Sequence, residues 1–478
     1  LERTVLMSID GVQLRSENGS KHTHINLNGT RLHYADPQNH LYALHRIEGV
    51  TLTNGYGSGR SISPTFQHEH GGSLFFIQVH HTVLIKDVIF KAGTVNGVSM
   101  GGALAFVRSS GPFFITSCQF HSNVAGSNGG ALAVMDGVDV QISDSVFLNN
   151  SASGDGGALF ATNTFDAKGK RSLVTATSTA FRMNTAVLNG GAVAAEESDA
   201  AFIDSVFDTC LAAEGGAFFL ARSSLRGTRL TLTGNTAVKS GGGIYSGAST
   251  IDMRSTNFTK NAAASGGGLH IVFSDASLHL AGFFENTATT GNGGGVFSSL
   301  KTSLQVFDSQ FDANTAPTGE GGGIFVDENK ILNIERSFIT ECSAHAGGGV
   351  SLSSMSAATI SACEFRNCTA TGLVGGGGVK SHDVNTVALS CSWFLGNKAL
   401  LGGGGGVVWD FSTEKMSDES VESPIHVIPC DGRSRTSMFL ENEASYGPHL
   451  ASGGYALIQI GGPSQDTTTS FASADTDF

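Results

Sequence analysis

The chain has 478 residues, 64 of them glycine and only 8 proline, with 40% hydrophobic and 14% charged residues. That excludes a collagen-like or proline-rich disordered chain and leaves enough apolar material for a core. Lys and Arg total 28 against 41 Asp and Glu, a formal charge of −13, which argues against nucleic acid or an anionic membrane as a partner.

The chain starts at Leu1 without a signal sequence, which reads as a processed or trimmed start. Residues 1–95 contain short β-like runs, Ile25-x-Leu27, Val50-x-Leu52 and Val83–Ile85. They are expected to form irregular first coils or an N-terminal cap, since the end repeats of a solenoid are atypical. Ten of the 16 histidines precede residue 122. His68-x-His70 and His80–His81 are metal-ligand types, but no cysteine accompanies them and their spacing matches no closed zinc motif. A solvated face is the expectation, with no metal or other cofactor.

From residue 96 a repeat dominates. Phe120–Asn123 leads to Gly129–Gly130–Ala131–Leu132, Phe147–Asn150 to Gly156–Gly157–Ala158–Leu159, and Phe181–Asn184 to Gly190–Gly191–Ala192–Val193. The aliphatic after the glycines recurs at Leu104, Leu132, Leu159, Val193, Phe218, Ile244, Leu269, Val296, Ile324, Val350, Val379 and Val407, with spacings of 25 to 34 residues. That period belongs to solenoids; the glycine and β-branched content rejects helical repeats, and a leucine-rich-repeat signature is missing. The pattern predicts an all-β, right-handed, single-stranded parallel β-helix of about 12 or more coils over residues 96–462. The 31 phenylalanines, against 6 Tyr and 2 Trp, suit an interior with no use for polar handles.

Stacking coils about 4.8 Å apart turns each repeated position into a column. Asn123, Asn150, Asn184, Asn235, Asn261, Asn286, Asn314, Asn397 and Asn442 form one such column, expected to be buried at a bend and to bond its own neighbours. Cys210, Cys342 and Cys368 take the Asn place, Cys342 on the assumption that Phe338 carries one extra residue. In adjacent coils, Cys342 with Cys368 and Cys363 with Cys391 are candidate disulfides. Insertions near 163–180 and 410–436 are expected as surface loops, and 463–478 as a polar tail or linker.

The paired Phe-x-x-Asn and Gly-Gly-Ala-[Ile/Leu/Val] motifs resemble the repeats of the polymorphic outer-membrane proteins of chlamydiae. They are similar too to Pmp-like β-helix proteins of microbial eukaryotes, over roughly residues 100–450. The resemblance implies a surface-exposed or extracellular location and adhesion. It points to other surface or matrix proteins, glycans, or end-to-end copies of the chain as partners. Many copies here read Gly-Gly-Gly instead of Gly-Gly-Ala.

Polysaccharide enzymes on β-helices need carboxylates gathered on adjacent coils. Asp155, Glu214 and Glu320 precede the Gly-Gly pairs. Asp155 and Glu214 are two coils apart, about 10 Å, near the upper end for an inverting pair. No Asn-Thr-Asp, Asp-Asp, Gly-His-Gly or Arg-x-Lys set accompanies them, so a non-enzymatic scaffold is the leading expectation and an enzyme or glycan-binding module the alternative. Asn18, Asn28, Asn149, Asn257 and Asn367 begin N-x-[ST] sequons. Asn257 is the best placed, because Phe258 beside it should point inward.

Overall fold

The computed structural model describes residues 4–6, 13–16, 19–21, 23–28, 31–35, 45–57, 70–163, 170–355, 357–410, 424–428 and 437–452. Among these, every regular element is a short strand, and no helix is long and apolar enough to cross a membrane. A typical coil has four strands: Leu132–Met135, Asp139–Ser143, Val146–Leu148 and Ser151–Ala152. We label the sheets they enter A, B, C and D. Pairing is parallel and in register from coil to coil, with Leu132 opposite Leu159, Val140 opposite Val174, Phe147 opposite Phe181 and Ala152 opposite Ala186.

The chain divides into two compact units, residues 1–238 with 243–250, and residues 239–242 with 251–478. In the first, sheet A runs from Thr4–Leu6 to Ile244–Gly247. In the second it runs from Leu269–Val272 to Leu450–Ser452. The runs read from the sequence before residue 95 fall on the strands His24–Asn26, Thr51–Thr53 and Val83–Lys86.

The interior is set by alternation within each strand. Asp139–Ser143 buries Val140 and Ile142 and turns Gln141 outward. In sheet C of the first unit the inward rings stack parallel, Phe90 on Phe120 at 4.7 Å, Phe120 on Phe147 at 4.4 Å and Phe147 on Phe181 at 4.7 Å. In the second unit Phe258, Phe283 and Phe311 stack likewise at 4.5 and 4.7 Å. The next residue in that column is a correction to the sequence reading: Ile339 is the buried member, opposite Phe311 and Phe365, while Phe338 is 53% exposed. The Ile339-to-Cys342 spacing is thus the ordinary one, and no extra residue exists. Isoleucine fills the ring's place because an apolar core accepts a similar volume more readily than a shifted register, which would turn every side chain over.

The corners between sheets use residues in the left-handed region, among them Glu197 (φ +50°) between sheets A and B. Asp144 (φ +50°) precedes Ser145, and Asn149 (φ +54°) precedes Asn150. Ser145 Oγ donates to the Ser143 carbonyl at 2.7 Å and accepts the Cys118 N–H at 3.0 Å, which satisfies the corner's backbone. At the corner into sheet A, Gly156 has φ +65°, and a Cβ on Gly157 would clash with the Gly191 carbonyl of the next coil. The insertion that starts after Asn163 and the one that starts after Asp410 both leave from the corner between sheets A and B. The second contains the strand Ile425–Ile428, paired in sheet B opposite Val387–Ser390, so it is not loop throughout. Hydrogen bonds of Lys170 to Asp139 and of Arg171 to Asp199 fasten the first at its C-terminal end, at 3.0 and 2.9 Å. The expected tail at 463–478 lies outside the described residues.

Candidate functional site

The asparagine column is an internal hydrogen-bond ladder. Asn123 Nδ2 donates to Asn150 Oδ1 at 2.9 Å, Asn150 Nδ2 to Asn184 Oδ1 at 3.0 Å, and each carbonyl also accepts the N–H of the preceding Asn. The same nitrogens reach the carbonyls of the Phe one coil back. Asn235 caps Cys210 N–H in the same manner. In the second unit Asn261, Asn286 and Asn314 repeat the ladder, as do Asn397 and Asn442. All nine are buried and consumed by these bonds, so they offer nothing to a ligand.

Most residues on the face of sheet A that points away from the core are buried; the rings of Phe219, Tyr245 and Phe297 are half-buried. In the first unit its column reads Phe160, Ala194, Phe219 and Tyr245, in register. Phe219 and Tyr245 stack at 5.3 Å with their planes 5° apart, both half-buried. Beside this column run the residues that enter the glycine corner: Asn128, Asp155, Asn189 and Glu214. Asn128 Oδ1 accepts the Asp155 N–H at 2.8 Å, Asp155 Oδ1 accepts the Asn189 N–H at 3.0 Å, and Asn189 pairs with Glu214 through a parallel bridge. Asp155 therefore has a structural duty on one oxygen.

Burial pushes the Asp155 carboxyl up from the usual carboxylate range, against the pull of its Asn189 hydrogen bonds. Burial also raises Glu196, on the outward side of Val193–Glu196, with the Asp155 charge adding to the rise and Arg222 opposing it. The Tyr245 hydroxyl is raised by burial and by the charge of Glu214. Asp155 thus lies within electrostatic reach of Glu196, and Glu214 within reach of Tyr245. The sequence reading missed Glu196 and Tyr245; only the outward phase of the strand after each Gly-Gly could have flagged them.

In the second unit the same outward column reads His270, Phe297, Phe325, Ser351, Lys380 and Val408. His270 stacks on Phe297 at 4.2 Å, and burial lowers its imidazole to about 4, so it is neutral. Glu320, from the corner column, accepts Ser351 Oγ–H at 2.8 Å and meets Lys380 Nζ at 2.6 Å. Its partners are met, and it faces no second carboxylate in this network.

Among the histidines, His68 lies outside the described residues. His70 Nδ1 accepts the Met100 N–H at 3.1 Å, His80 Nδ1 bonds Ser110 Oγ at 2.7 Å, and the His81 ring lies 4.2 Å from that of His45. Contrary to the solvated face expected, His81 is buried, packed against the buried ring of His45. No group of three or more His, Cys, Asp or Glu converges among the described residues. Neither expected disulfide forms. Cys342, Cys363 and Cys368 are free and buried, and Cys391 is bonded, though not to Cys363. The reason is direction: Cys342 Sγ turns to the Phe311 carbonyl at 3.6 Å and Cys368 Sγ to the Ile339 carbonyl at 3.3 Å, each toward the preceding coil. The sequon residues Asn28, Asn149, Asn257 and Asn367 are exposed; Asn18 lies outside the described residues.

The sequence model of the right-handed β-helix region matches residues 72–258 and 246–419. The chain belongs to the right-handed β-helix family. No curated protein matches it in sequence. Among solved structures, this β-helix is similar to one from the cryo-EM structure of the Vag8–C1 inhibitor complex, at 12% identity, with 94% of this chain and 99% of that chain covered and a TM-score of 0.44. It is also similar to tailspike protein 3 of bacteriophage CBA120, at 8% identity, with 92% and 55% covered and a TM-score of 0.26.

Proposed function

We propose that this β-helix is a non-enzymatic extracellular or cell-surface scaffold of the Pmp-like kind, adhesin-like or a building block of a surface assembly. It meets glycans or other surface and matrix proteins through the outward face of sheet A. One observation carries the reading. The inward columns repeat the same few residues, whereas the outward side of sheet A differs within each unit: Phe219 and Tyr245 stack half-buried in the first, and in the second Phe297 is half-buried beside the buried His270. A surface that varies over an invariant core is the division of labour of a binding solenoid. Half-buried aromatic rings edged by carboxylates and amides suit the apolar faces and hydroxyls of sugars.

The test is binding of the purified chain to glycan and matrix-protein panels, with Phe219→Ala/Tyr245→Ala as the comparison. Binding that falls at least about tenfold in the double variant, equivalent to about 1.4 kcal/mol, supports the reading. Binding unchanged by the variant, or no binding across both panels, sinks it. A second reading, a polysaccharide-active enzyme, is favoured by the carboxyls of Asp155 and Glu196, which lie within reach of each other and which burial raises, the direction a general acid needs. Chain cleavage of an acidic glycan that is lost in Asp155→Ala or Glu196→Gln would establish it.

A further inference from the structure

We infer that Asn257 carries an N-linked glycan whose first sugar packs on the ring of Phe284. The inference rests on the extracellular reading above and adds a site to it. Asn257 lies on the outward side of sheet C, exposed, within the strand Asn257–Thr259. Its neighbour Phe258 is fully buried, so the sequon's middle residue is committed to the core and the acceptor amide to solvent.

The coil that follows decides what the amide meets. Asn257 is opposite Gly282, and Thr259 is opposite Phe284. Gly282 presents no side chain, and the half-buried Phe284 ring folds across it. The point where a Gly282 Cβ would sit is 2.6 Å from Asn257 Oδ1 and 2.8 Å from Phe284 Cζ. Asn257 Oδ1 and the Phe284 ring therefore close over Gly282 side by side, no further apart than those two distances combined. Any larger residue at 282 would clash with both side chains.

An exposed amide beside a half-buried aromatic ring suits an N-acetylglucosamine laid over the outer side of that ring. The sugar's axial C–H groups lie on the ring, its hydroxyls stay in water, and the contact covers apolar surface otherwise left half-exposed. The other exposed sequons lack this arrangement. Asn149 and Asn367 sit at left-handed corner positions, with φ +54° and +53°, outside any strand. The attachment itself is the usual transfer: the side-chain nitrogen forms the bond to the sugar's C1 and gives up one proton to a base of the transferase, while the C1–O bond breaks and the lipid-linked diphosphate leaves with its electrons.

The experiment is secretion of the full chain from eukaryotic cells behind a heterologous signal sequence, followed by glycopeptide mapping and thermal unfolding. The expected result is an occupied Asn257. Comparison with Asn257→Gln should show the glycan raising the unfolding midpoint by about 2–4 °C, the shift of an ordinary contact in a unit of this size. In a Phe284→Ala background the same comparison should show no shift. An Asn257 left bare while Asn149 and Asn367 are occupied overturns the inference and leaves the extracellular reading standing. If all three are bare, the inference fails. An occupied Asn257 whose stabilisation survives Phe284→Ala overturns the packing contact.

Discussion

Lys380 and Glu320 are 60 residues apart in sequence, yet the Lys380 ammonium rests 2.6 Å from Glu320 Oε1. The Lys380 side chain is 8% exposed and that of Glu320 28%. Its path runs back over Ser351, the Lys380 partner in sheet A, so two turns of solenoid are tied by one buried charge. The two ends of the pair are unequal. Glu320→Ala strands the buried ammonium and should destabilise by about 3–5 kcal/mol. Lys380→Met keeps the apolar stem and leaves Glu320 near water with its Ser351 bond, so it should cost about 1 kcal/mol. Urea unfolding of the two variants checks the order; equal losses would refute it.

The asparagine ladder predicts a graded response. Asn286→Ala removes the acceptor of both the Asn261 N–H and the Asn261 Nδ2. Losing the acceptor of two buried hydrogen bonds should cost about 2–5 kcal/mol. Asn286→Cys should cost less, because a thiol already fills this column at Cys342, where Asn314 Nδ2 approaches the sulfur at 3.8 Å. Chemical denaturation midpoints of the two variants measure the difference.

Glycines of the same chain should respond to alanine for different reasons. At Gly157 the added methyl meets the backbone of Gly191, which cannot move without parting two coils, so Gly157→Ala should cost about 3 kcal/mol or abolish soluble expression. At Gly97 nothing lies within 4 Å and only the φ of +63° resists, so Gly97→Ala should cost about 1 kcal/mol. Soluble yield and melting temperature separate the cases.

Acid should loosen the second unit through His270. Its folded-state value, lowered by burial to about 4 from 6.5, lies below the unfolded one. The neutral ring thus contributes stability above pH 6.5 that is lost as pH falls toward 4, up to about 3 kcal/mol. His270→Phe should flatten the pH dependence of unfolding in that window. The raised carboxyls of Asp155 and Glu196 act with the opposite sign: their folded forms hold a proton more firmly, so that stability is present at low pH and lost as pH rises through their folded values.

The cysteines should be chemically silent. Burial pushes the thiols of Cys118, Cys210 and Cys363 up to about 12, and Cys342 and Cys368 are equally buried. The native protein should therefore leave all five unlabelled by a thiol reagent, and unfolding should release them together. Labelling of Cys342 or Cys368 in the native state would show the ladder opening locally.

The sequence by itself determined the fold class. Glycine pairs and phenylalanines at a period of 25 to 34 residues leave a chain little choice but to coil and stack, since each coil can bury its apolar face only against its neighbours. Local pattern could not reach further. The left-handed corners fall on Met183, Lys260 and Glu285 as readily as on Asn149, because backbone pairing from the coils above and below holds them there. Ile339 replaces Phe338 in the core because register overrides residue preference. The meeting of Glu196 with Asp155, of Lys380 with Glu320, and of Phe284 with Asn257 follows from which strands lie side by side. That is a matter of loop lengths between coils, and only the tertiary structure decided it.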